Sequence, residues 1–89
     1  YDAGMETVNY NIILRPEPEG GFTVFVPSLP GCITYGKTVA EAREMAADAI
    51  RLYVMTLLED GEIIPSDENN VSAMIRVSAP QKRLKKQYA

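Results

Sequence analysis

The chain contains no histidine, a single cysteine, and no apolar run approaching the length of a membrane span. The first absence removes the commonest general base and the commonest metal ligand. The second rules out a disulfide within the chain, so we expect an intracellular, cytoplasmic protein. Cys32 has no histidine to activate it and no second sulfur with which to share a metal, and is expected to be a buried, inert small residue. No stretch nears the ~20 apolar residues that cross a bilayer, so we expect no membrane association, and no signal peptide ahead of the first structured segment. Gly20-Gly21 is too short to cradle a phosphate, and no glycine–lysine–serine/threonine run or nucleophile elbow occurs. Neither an enzyme nor a cofactor or metal is expected.

What is present is the composition of a small globule: 89 residues, 46% hydrophobic and 24% charged. A chain of this length buries only about 60–65% of its unfolded surface, and association is a common supplement to its stability. The formal charge of −3 is unevenly laid out. Residues 1–80 hold twelve acids and five bases, a balance of −7, whereas the last nine hold four bases (Lys82, Arg83, Lys85, Lys86) and no acid. Such a body repels nucleic acid and attracts a basic partner. The basic tail is the one place that could touch phosphates or act as an arm on a neighbouring subunit; direct nucleic-acid binding is the reading ranked last.

Residues 1–7, with YDAG ahead of Met5, are expected to be an appended remnant without order, followed by one domain over 8–80 and the tail over 81–89. VNYNIILR (Val8 to Arg15) alternates as a strand with Val8, Tyr10, Ile12 and Leu14 on the buried face. PEPEGG (Pro16 to Gly21) is a hairpin loop. GFTVFV (Gly21 to Val26) is a second strand, placing Phe22, Val24 and Val26 on one face and Thr23 and Phe25 on the other. In VPSLPGCITYG (residues 26–36), Pro27 and Pro30 end the pairing and turn a stiff corner, Gly31 takes a turn position, and Ile33 to Tyr35 forms a short third strand closed by Gly36. None of these first three strands carries Asp or Glu, so a metal-dependent nuclease site is not expected to assemble in the usual place.

Thr38 with Glu41 three residues on predicts a capping box opening a helix that runs to about Asp60 and stops at Gly61. Val39, Ala42, Ala46, Ala49, Ile50, Tyr53 and Leu57 share its inner stripe. The apolar surface is wider than one core requires. Met45, Leu52 and Met55 lie beyond the stripe and are the expected oligomer or partner surface. A polar connection through Pro65 leads to a last strand, Val71 to Ser78, ended by Pro80. The order is β-β-β-α-β: an α+β fold, its antiparallel-rich sheet covered on one face by one helix.

Pro27, Leu29, Pro30, Gly31, Cys32 and Gly36, followed by Thr38, Glu41 and then Gly61 and Pro65 of GEIIP, resemble the HicB antitoxin family across about residues 8–80. Ser28 stands where the family more usually has Asp, and we expect this turn substitution not to matter; Ala40 replaces a frequent Glu. The resemblance implies a partial ribonuclease-H-like scaffold that is catalytically inert. It implies binding to HicA, a small basic toxin that cleaves messenger RNA, by masking its active surface. Many members add a C-terminal DNA-binding domain, and nine residues after Pro80 leave no room for one, so a short form is expected. A homodimer or homotetramer is expected. The alternative is a solitary homo-oligomeric scaffold or ligand-binding domain with no toxin partner.

Overall fold

The computed structural model describes residues 7–80. Three antiparallel strands, β1 (Ile13–Pro16), β2 (Phe22–Phe25) and β3 (Ile33–Gly36), are followed by one helix, α1 (Val39–Glu59). The sheet order is β1-β2-β3, with Ile13 opposite Phe25 and Phe25 opposite Ile33. The helix lies across β2 and β3. This is the expected α+β class.

The inward face of β2 supplies the centre of the core, as its alternation predicts. Val24 is fully buried against Ala42 and Ala46, with Ile12, Leu14 and Phe22 packed around them. The alanines let helix and sheet approach closely. A second cluster is built on the proline corner, where Val26, Leu29 and Cys32 pack beneath Tyr10, Ile12, Ala49, Ile50, Tyr53 and Leu57. The corner is stiff for a visible reason. The Leu29 amide donates to the Val26 carbonyl (3.0 Å), the Cys32 amide to the Leu29 carbonyl (2.9 Å), and the Val26 amide to the Cys32 carbonyl (3.2 Å). The closed loop drives Leu29, 0% exposed, into the core, and the Tyr53 hydroxyl ties it to the helix by donating to the Pro30 carbonyl (2.7 Å). Cys32 is buried, and that burial pushes its thiol pKa up, which disfavours the reactive thiolate.

The helix begins and ends where the sequence places it. Thr38 is the N-cap and accepts from the Glu41 amide (3.0 Å). Glu41 reaches back as expected, but its carboxylate accepts from the Lys37 amide (2.6 Å), one residue before the cap. Gly61 takes φ +67°, a conformation that a side chain would strain. Thr38→Ala should cost about 1 kcal/mol, a drop in unfolding midpoint of about 4–8 °C by thermal circular dichroism, with the helix otherwise intact.

Three expectations need correction. The ladder of β1 begins at Ile13, not Val8. The partner strand runs into Pro27, which has no amide to donate, and Val26 is already committed to Cys32. The Asn9 and Asn11 backbone instead bonds to Asp67 in the connection after the helix, while Tyr10 and Ile12 still pack on the core and Val8 is 41% exposed. Val39, expected on the inner stripe, is half exposed in the first turn. The third correction concerns the fourth strand, Val71 to Ser78, which does not form within the chain. Residues 71–80 carry no regular structure and are all exposed. Their alternation is real, but a strand exists only when another edge pairs with it, and no backbone hydrogen bond joins this segment to the rest of the described residues. Lys82, Arg83, Lys85 and Lys86 lie outside the described residues, as do residues 1–6.

Candidate partner-binding site

On α1, Glu41, Met45, Asp48, Leu52, Met55 and Glu59 follow one another at alternating four- and three-residue steps. That spacing puts them on a single ridge, since residues three and four apart are helical neighbours. All six are exposed. Met45, Leu52 and Met55 are therefore brought onto one line, at 41%, 68% and 56% exposure, with a carboxylate at each end and one in the middle. Asp48 is held by Arg51 (2.7 Å). At the far end Glu59, Asp60 and Glu62 cluster around the helix C-terminus, and no basic residue occupies the last turn. The helix dipole is negative at this end, so these acids forgo helix stability and concentrate negative potential on the surface.

Leu52 also lines a groove of about 530 Å³ between the helix and the start of β3, together with Gly31, Ile33, Ala49, Thr56 and Glu62. Its walls are mostly apolar and one carboxylate stands among them. This chemistry suits the stem and head of an arginine or lysine from a basic partner. Met45 and Met55 flank the groove without lining it.

Two features escaped the sequence reading. The sheet face away from the helix is open, and the register sets Ile13, Phe25 and Ile33 in one row across the three strands, with Ile13 and Ile33 54% and 56% exposed. The signal was available in the apolar residues at the outward positions of all three strands. The other feature is Asp67, which reads in the sequence as one more acid in a polar turn. It is 7% exposed and organises the connection after the helix. Its carboxylate accepts from the Asn11 amide (2.8 Å), the Asn70 side-chain amide (2.7 Å) and the Ser28 hydroxyl. Tyr10 completes the clasp by donating from its hydroxyl to the Pro65 carbonyl. Burial, and secondarily the Asp67 charge, raise the Tyr10 pKa.

The hydrogen bond from Ser28, then those from Asn11 and Asn70, hold the Asp67 carboxyl below the usual aspartate range against the opposing effect of burial. The stability it contributes is complete above the ordinary aspartate value and is lost as the pH falls below it towards the lowered folded value. Ser28 is thus not the neutral turn substitution expected. It donates to a buried carboxylate, and an aspartate there would set two like charges together. Ser28→Asp should lower the unfolding midpoint by about 5–10 °C at pH 7, with the deficit shrinking as one carboxyl is protonated in acid. Thermal melts across a pH series check both parts.

Residues 10–82 match the family model described as the HicB-like antitoxin of bacterial toxin-antitoxin systems. The chain belongs to the HicB-like antitoxin family. It is 43% identical over 58 residues to Antitoxin HicB of Escherichia coli, covering 65% of this chain and 42% of that protein. It is 42% identical over 60 residues to a UPF0150 protein of Thermoplasma acidophilum, covering 67% of this chain and 87% of that one. A UPF0150 protein of Synechocystis is 32% identical over 72 residues, covering 81% of this chain and 99% of its own length. The residues on which the resemblance was read have structural places: Leu29 and Cys32 plug the corner, Thr38 and Glu41 cap the helix, Gly61 ends it, and the Pro65 carbonyl receives Tyr10. The acidic, apolar ridge of α1 is carried on that frame. No helix among the described residues is long and apolar enough to cross a membrane.

Proposed function

We propose that this chain neutralises a small, basic, HicA-type mRNA-cleaving toxin by docking it on the α1 ridge and masking its RNA-binding surface. The observation that carries the reading is the heptad-spaced line of Glu41, Met45, Asp48, Leu52, Met55 and Glu59, which couples exposed apolar side chains to negative charge in one place. Complementary charge accelerates encounter and selects the partner, while the apolar side chains, once buried, supply most of the affinity. The Leu52 groove, with Glu62 in its lining, receives a basic side chain of the toxin. The chain acts by binding and not by catalysis, from the cytoplasm. Its E. coli relative bears the name antitoxin, and the family is one of toxin-antitoxin systems.

The test is co-expression with a small basic protein encoded by a reading frame adjacent to this chain's gene, where one is found. Growth rescue and co-purification of the pair are expected. Failure to rescue, with both proteins soluble, would instead favour a solitary homo-oligomeric scaffold, a reading that the exposed Ile13 and Ile33 on the open sheet face also suit.

A further inference from the structure

Residues 71–80 leave the Asp67 clasp as a segment without regular structure, with its apolar side chains in solvent. Val71 is 92% exposed, Met74 98%, Ile75 82% and Val77 75%. The segment has the composition and alternation of a strand, and proline appears only at its end, at Pro80. Beside it, β1 is hydrogen-bonded on one side alone among the described residues, because the sheet order is β1-β2-β3. Between the two lies a groove of about 720 Å³, bounded by Asn11 to Leu14 on one side and by Ser72, Ala73 and Met74 on the other, with Pro27 also in its lining. An unpaired sheet edge, an unpaired strand-like segment and an open groove between them are thus present in one chain.

We propose that the groove is filled by residues 71–79 of a second copy, in a reciprocal strand exchange. Each copy's segment enters between the β1 edge and the 71–79 segment of the other. A two-fold axis then runs between the two exchanged segments, and the order becomes β3-β2-β1-segment-segment-β1-β2-β3, one continuous sheet across the dimer. The arrangement is isologous and closed, so it ends at two copies. It pairs the free edge of each β1 and the backbone of each 71–79 segment, and extends the open sheet face of Ile13 and Ile33 across both subunits. The same chain supplies both the strand and its slot, which favours a second copy over an unrelated partner. The inference is independent of the toxin reading.

The experiment uses the full chain. Sedimentation should give a dimer, and Ile75→Pro, which deletes an amide from each exchanged strand, should weaken dimerisation on the order of 100-fold while the helical circular dichroism signal is unchanged. A mixed dimer of isotope-labelled and unlabelled chains should show contacts between 72–78 of one copy and 12–14 of the other. Contacts found only within one chain would overturn the proposal in favour of own-strand pairing. A monomer with unprotected 72–78 amides would overturn it outright. Protection that arises only when the toxin is added would assign the segment to that partner instead. None of these outcomes depends on whether the toxin is neutralised.

Discussion

Gly36→Ala is expected to destabilise the domain by about 3 kcal/mol or more, lowering the unfolding midpoint by about 12–24 °C. Gly36 ends β3 directly beneath the first turn of α1, and a Cβ placed on it would lie 2.3 Å from the Ala42 nitrogen and 2.4 Å from the Ala42 Cα. Those atoms are backbone, so no rotamer change relieves the clash. The helix must lift, and lifting it separates Ala42 and Ala46 from Val24, the centre of the core. A domain of this size has little stability to spare. Ala42→Gly in the same chain should not rescue the variant, because it trims a side chain that is not the obstacle. Thermal and urea melts of the single and double variants measure both statements. Full recovery in the double variant would show that the contact is between side chains.

The second large effect concerns binding. Leu52→Arg should weaken the proposed toxin capture on the order of 100-fold with the fold unchanged, since Leu52 is 68% exposed and the substitution places a like charge in the groove proposed to take a basic side chain. Glu59→Lys separates stability from function. A cation in the last helical turn complements the dipole and should raise the midpoint by about 1–2 °C. The same change removes an acid from the ridge and should slow association, an effect that added salt diminishes. A stabilised variant that binds more slowly is difficult to explain if the acids serve only solubility. Unchanged binding in both variants would place the toxin on another surface, with the open sheet face the next candidate.

Much of this architecture is legible in the sequence because local chemistry decides it. Thr38, Glu41 and Gly61 announce the helix ends, the prolines and Gly31 announce the corner, and the alternation of β2 gives its buried face correctly. The helical repeat also places Met45, Leu52 and Met55 outside the core, where the structure finds them. What the sequence does not reveal depends on partners distant along the chain. Asp67 looks like a solvated turn residue until Asn11 and Ser28 converge on it. Gly36 looks like a strand terminator until the helix is laid over it. The first half of the expected β1 has strand propensity, but its would-be partners are Pro27 and the corner. Val71 to Ser78 shows the same limit most plainly. Its pattern specifies a strand, and nothing in the pattern specifies the edge.

The central claim is that a chemically inert, negatively charged surface captures a basic ribonuclease. It is tested most directly by titrating the purified chain into an RNA-cleavage assay of a HicA-type toxin, an adjacent one where the gene has such a neighbour. Cleavage is predicted to stop at stoichiometric amounts of the chain and to continue when Leu52→Arg is used instead. Cleavage that persists at a large molar excess, or RNA turnover by the chain alone, would contradict the account.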